Sequence, residues 1–208
     1  MNRLRGLRAV LTGIMQLSIG VLLVAGLTRL MLHSSPKAPL PPGWSVIRPP
    51  HEVSALAAQG EIIWAGGRDG LAAIDAKTVG LRPPHPGQPP MRYVRDLLVD
   101  SAGNLWIAHS GGLTSHAQSG EWKSFSRADG YCCGPALALL ESRDATVWVG
   151  TETGVVRYDG NTWSRFSKGE GLGTVAVDVI FQDRGGVLWL GSSAPTEGGL
   201  SSYDGEVW

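Results

Sequence analysis

The sequence predicts an all-β protein built from a repeated four-stranded antiparallel sheet, and three observations predict it. Tryptophans recur at a fixed period, Asp- and Gly-rich turn phrases recur between them, and the composition is rich in glycine but poor in charge. Charged residues are 17% of the chain, glycines number 29, and there are 8 Trp against 3 Phe and 4 Tyr. Glycine with regularly placed aromatics suits short strands and tight turns. The 18 basic and 18 acidic residues cancel, so electrostatics give no reason to expect a nucleic-acid partner.

The repeat is read from four phrases, "IIWAGG" at Trp64, "LWIAHS" at Trp106, "VWVGTE" at Trp148 and "LWLGSS" at Trp189, spaced by 42, 42 and 41 residues. A second series, Trp122, Trp163 and Trp208, follows the last three. Each unit divides into four strands, clearest as 136–142, 146–152, 154–160 and 162–168. These stretches are rich in Val, Leu, Trp, Tyr and Thr, the β-branched and aromatic residues that fit a pleated surface. Between strands one and two lie "DSAGN" and "DRGGV", and between three and four lie "YDGNTW" and "YDGEVW". In these turns Asp bonds backbone amides and Gly takes positive φ. Small residues after the Trp (Ala65, Gly150, Gly191) leave room for a neighbouring sheet. Four antiparallel strands in about 42 residues is the period of a propeller blade, and radial stacking covers both faces of each sheet with Trp as the plug.

The phrases "VDSAGNLWIAHSGGLTSH", "ESRDATVWVGTETGVVRYDGNTWSRF" and "QDRGGVLWLGSS…GGLSSYDG" resemble the two-component regulator propeller repeat over residues 44–208. The resemblance implies an extracytoplasmic sensor propeller attached to a membrane-spanning signalling protein. His109 stands where the pattern has Gly, the first copy reads "AAQGE" in place of the Asp–Gly turn, and the second reads "SHAQSG" in place of "YDG". Trp44-Ser-Val-Ile matches the fourth-strand phrase "WSRF", so the blades are expected to begin on an outermost strand at 44–47. About four blades follow, the last lacking most of its fourth strand. A four-bladed ring closed by 44–47 and an incomplete part of a larger ring with further blades are both open. Rings of about seven blades, which the resemblance implies, favour the second.

The N-terminus is different material. Residues 1–8 carry Arg3, Arg5 and Arg8, and no charge occurs from Ala9 to Thr28. About 20 apolar residues cross the ~30 Å hydrocarbon core. Residues 9–32 are therefore expected to be a transmembrane anchor, with 1–8 a cytoplasmic stub, 33–43 a Pro-rich linker and 44–208 the propeller outside the cytoplasm. A cleaved signal peptide, leaving a secreted or periplasmic protein, is the alternative.

Cys132 and Cys133, the two cysteines of the chain, are adjacent in "ADGYCCGPA" and could form a vicinal disulfide or stay as thiols. That loop and "SKGEGLGT" cross from one blade to the next at a rim, and Tyr131, Cys132 and Cys133 are the candidate ligand contacts there. Asp96 and Asp178 lie on or near inner strands and are the candidates for the channel. Five histidines form no HxH or HxxxH pair, and His109 and His116 fall on consecutive strands of one blade. No nucleophile elbow, phosphate loop or zincin motif is present, so no catalytic residue, metal or cofactor is expected. The recurrent Asp100, Asp159, Asp183 and Asp204 read as turn builders. The expected function is a sensor module binding a small molecule, glycan or protein. A propeller lyase and an adhesion scaffold are the alternatives.

Overall fold

The Trp phrases become second strands, and the Asp- and Gly-rich phrases become the hairpin turns that feed them. A computed structural model describes residues 41–43, 45–47, 50–196 and 198–208. The chain divides between Val46 and Ile47, and every sheet lies in the second part. The first sheet holds β1 (Ala55–Gln59), β2 (Ile62–Gly67) and β3 (Gly70–Asp75). The second holds β4 (Val94–Val99), β5 (Leu105–His109), β6 (Gly112–His116) and β7 (Trp122–Phe125). The third holds β8 (Ala136–Glu141), β9 (Val147–Thr151), β10 (Gly154–Tyr158) and β11 (Trp163–Phe166). The fourth holds β12 (Val179–Gln182), β13 (Leu188–Ser192) and β14 (Gly199–Tyr203). All pairings within the sheets are antiparallel between consecutive strands. The first strands β1, β4, β8 and β12 stand next to one another in order, which is how blades are set about a propeller axis.

Three apolar layers join the blades, each built on one Trp. Trp64 packs with Val94, Leu97, Leu105 and Ile107 of the second blade. Trp106 packs with Ala136, Leu139, Val147 and Val149 of the third, and Trp148 with Val177, Ile180, Leu188 and Leu190 of the fourth. Each covered indole removes on the order of 150–250 Å² from water. Trp64, Trp106 and Trp148 are 0%, 5% and 3% exposed, but Trp189 is 37% exposed, because among the described residues no blade covers its face. Gly150 marks how closely the blades approach, since a Cβ there would strike the carbonyl oxygen of Val177.

Two strand expectations need correction. Among the described residues the first blade has no fourth strand. Only Leu81 bridges to Ile74, and the Arg82 N–H donates to the Ala73 carbonyl at 2.8 Å. Beyond these, Pro83, Pro84, Pro86, Pro89 and Pro90 lack the N–H groups a ladder needs, and the chain runs on as a strap to Tyr93. Nor is there a strand at Ser45–Ile47, while Trp44 lies outside the described residues. The expected stub 1–8, the anchor 9–32 and most of the linker 33–43 also lie outside them. Among the described residues no helix is long and apolar enough to cross a membrane.

Candidate functional site

The crossovers between blades and the β2–β3, β5–β6 and β9–β10 turns share one rim. A backbone ladder builds it. The Arg68 N–H donates to His51 O at 3.1 Å, Tyr93 N–H to Arg68 O at 3.0 Å, and Ser110 N–H to Arg92 O at 3.4 Å, with Ser110 Oγ on the same oxygen at 3.0 Å. Gly67 and Gly70 let the segments meet, because a Cβ on either would crowd the carbonyls of His51 or Met91 at 2.6 Å.

This ladder holds a charged cleft of about 460 Å³ lined by His51, Glu52, Arg68, Asp69, Arg92 and Tyr93. His51 Nδ1 lies 2.6 Å from Asp69 Oδ2, and the hydrogen bond from His51 holds that carboxyl below the usual range. Arg68 Nη1 donates to Glu52 Oε1 at 3.1 Å, which raises the guanidinium further. Glu52 and Tyr93 have φ of 53° and 50°, a left-handed backbone that costs non-glycine residues on the order of 1–3 kcal/mol each and gathers at functional sites. Beside it, the strap and the first blade enclose a groove of about 600 Å³, sharing Asp69 and Arg92 with the cleft.

The sequence pointed elsewhere on this rim. The Sγ atoms of Cys132 and Cys133 are bonded to each other in the crossover from the second to the third blade. Tyr131 is buried beneath them, donates its hydroxyl to Gly134 O at 2.8 Å and meets Trp163 edge-on at 5.4 Å. Burial raises its hydroxyl far above the ordinary range. The next crossover repeats the design, with Leu172 buried in the place of Tyr131. Both loops are pinned by an acidic side chain. Ser126 N–H and Oγ donate to Asp129 at 3.0 and 2.7 Å, and Ser167 N–H donates to Glu170 at 2.8 Å.

Asp96 sits on a bulge in β4 and links two blades. Its carboxylate accepts from Leu97 N and, across the blade boundary, from Leu139 N, both at 2.8 Å. Burial pushes its carboxyl up against the pull of these bonds. Asp178 accepts from Ser193 N and Ser193 Oγ, both at 2.7 Å, in the fourth blade. The third blade stands between the two carboxylates, so they do not form a pair. His109 and His116 do not meet either, since His109 pairs with Gly112 at one end of the β5–β6 hairpin and His116 with Leu105 at the other. Each carboxylate read as a turn builder holds its own turn. Asp100 accepts from Asn104 N at 2.7 Å, Asp159 from Thr162 N at 2.7 Å, Asp183 from Val187 N at 3.0 Å and Asp204 from Val207 N at 2.8 Å. Among the described residues no three His, Cys, Asp or Glu are gathered to hold a metal ion.

The cleft residues were missed because four of them, His51, Glu52, Arg92 and Tyr93, fall outside the repeated phrases, in the segment before the first blade and in the strap. One signal was legible. Four residues past each repeat Trp stand Arg68, Ser110, Glu152 and Ser193, so the rim position of the first blade alone carries a cation.

Residues 87–111 match the family described as Two component regulator propeller. No curated protein matches the chain. Among solved structures, the extracellular domain assigned to a hybrid two component system of B. thetaiotaomicron is similar at a TM-score of 0.62 and 18% identity, covering 74% of this chain and 22% of that one. A second such domain from B. thetaiotaomicron is similar at a TM-score of 0.58 and 19% identity, covering 74% of this chain and 21% of that one. A catalytically inactive virginiamycin B lyase from Staphylococcus aureus is similar at 0.53 and 10% identity, covering 73% of this chain and 55% of that one. At these identities the likeness is one of fold. The chain spans about a fifth of the length of the first two structures.

Proposed function

From a chain that carries the two component regulator propeller repeat, we propose an extracytoplasmic sensor module, anchored by residues 9–32 and non-catalytic in the region described. The observation that carries this reading is the strained, charged cleft at the rim, where a rigid ladder of crossovers presents Arg68, Arg92 and Tyr93 together. Its ligand is a small molecule, a glycan or a protein with polar groups for those donors, and Cys132 adds an apolar contact along the same rim. An enzyme reading would need reactive groups that converge. Asp96, a half-buried carboxylate on an inner strand, is instead committed to two backbone N–H groups.

The blades form part of a larger ring. Supporting this is the fourth blade's outer face, where Val179, Phe181, Trp189 and Leu200 are exposed. Those positions belong to the kind of face that the next blade covers in the three internal layers.

The binding reading is tested by melting the full chain against a panel of neutral and acidic oligosaccharides, amino acids and dicarboxylates. A compound that raises Tm, with the shift lost in Arg92→Ala and Arg68→Ala, supports it. A panel without effect, or a shift indifferent to both substitutions, refutes the cleft as the site.

A further inference from the structure

His116 breaks the repeat's own pattern. The third and fourth blades carry Tyr158 and Tyr203 at the same register, opposite Val147 and Leu188, where His116 stands opposite Leu105. Each tyrosine hydroxyl donates to a turn carbonyl, Gly160 O at 2.8 Å or Gly205 O at 2.7 Å. Each ring stacks at 4.6 Å on the following Trp163 or Trp208. His116 keeps the stack, at 4.2 Å on Trp122, but loses the bond. Only 5% exposed, it has no hydrogen-bond partner at Nδ1 or Nε2 among the described residues. Buried polar groups are nearly always paired, so this one asks for an explanation.

The strap that replaces the first blade's fourth strand brings a second imidazole to the same place. The rings of His85 and His116 are 4.4 Å apart at 64°, and His85 Nδ1 is also buried without a partner. Trp122 ties the strap down by donating from Nε1 to Pro86 O at 3.1 Å, and Gln88 Nε2 donates to Leu71 O at 3.1 Å.

Among the described residues no opposite charge is placed to welcome a proton on His116. β2 contributes Trp64, at 5.8 Å from His116, and β7 contributes Trp122. The β6–β7 turn contributes Gly120 beside His85, with Glu121 turned to solvent. Further along β7, Lys123 lies 3.4 Å from Asp129, and Arg82 of the strap is closed on Asp75 at 2.5 Å. Burial, and then His85 itself, holds His116 below the ordinary histidine range.

We propose that His85 and His116 form an acid-sensitive latch, which seats the strap on the second blade when both are neutral and releases it when one takes a proton. The sign follows from the missing partners. A released imidazole titrates near its ordinary value of about 6.5, whereas latched His116 resists charging, so the released state binds more protons and acid favours it. The Arg82–Asp75 pair lies three residues before His85, where the strap leaves the first blade, and acts as the hinge, because backbone and Arg82 hydrogen bonds keep the Asp75 carboxyl ionised well below that pH. Release widens the 600 Å³ groove whose far wall is Pro84 and Gln88–Arg92. The latch does not depend on the rim binding a ligand.

The test is ¹⁹F NMR of the full chain labelled with 5-fluorotryptophan, with the Trp122 signal assigned by Trp122→Phe. The Trp122 signal is expected to move as pH falls from about 7.5 to 5, with a midpoint below about 6.5. It is expected to stay still in His116→Tyr, which restores the residue the repeat uses in the next two blades, and in His85→Asn. A flat native signal overturns the latch, and so does the same titration in both variants. Should His116→Tyr fail to fold, His85→Asn decides alone.

Discussion

The indole Nε1 of Trp106 donates to Asp100 Oδ2 at 2.8 Å, tying the second blade's plug to the turn that precedes it. Trp189 does the same to Asp183 at 3.0 Å. Trp148 donates to Ser142 Oγ at 3.2 Å, and in the first blade, which lacks the Asp turn, Gln59 Oε1 accepts from Trp64 at 2.8 Å. The repeat thus conserves an acceptor for a buried N–H, and the residue that supplies it varies. Asp100→Ala should destabilise by about 1–3 kcal/mol, the range for orphaning a buried donor. Asp183→Ala should cost less, because Trp189 is exposed to water. Chemical denaturation of both variants checks the order.

Equivalent glycines should respond differently to alanine. At Gly150 a Cβ meets the Val177 backbone of the next blade, while at Gly191 the nearest atom is Val179 Cβ at 3.7 Å, an ordinary contact. Gly150→Ala is expected to lose about 1–3 kcal/mol by overpacking, with Gly191→Ala near neutral. Thermal melts of the two variants decide, and equal losses would contradict the described blade spacing.

The exposed face of the fourth blade should drive self-association when nothing else covers it. Light scattering of the chain is expected to show oligomers that Phe181→Lys and Leu200→Glu reduce. A monodisperse monomer that the substitutions leave unchanged would remove the argument for a larger ring.

Asp159 is held down to about 2, chiefly by the Thr162 backbone N–H and then that of Asn161. Its folded pKa lies below the unfolded value of about 3.9, so its contribution is full above that pH and fades as pH falls toward 2. The native chain should therefore be more stable than Asp159→Asn at pH 5, and the gap should close in acid. Denaturation of both across that range measures it.

The bond between Cys132 and Cys133 predicts that intact mass under non-reducing conditions is lower by two hydrogens than after reduction, and that alkylation blocks neither thiol until then. Free thiols would count against it.

The sequence by itself determined what is local and repeated. The Trp period placed β2, β5, β9 and β13, and the third unit's predicted strands agree with β8 to β11 within a residue or two at each end. The Asp turns were legible because Asx hydrogen bonds reach only a few residues along the chain. Tertiary structure alone decided what is distant and unrepeated. The strap is cut from strand pairing by its prolines, and it then brings His85 to His116, thirty-one positions away. The cleft draws His51, Arg68 and Arg92 to one rim through backbone bonds that join the first blade to the segment before it and to the strap. Asp96, an apparent channel acid, turned out to link strands, because a bulge aims its carboxylate at Leu139 N. Periodicity records which face a residue takes within its own blade. Which neighbour it meets depends on how the blades are stacked, and that is not written in any one phrase.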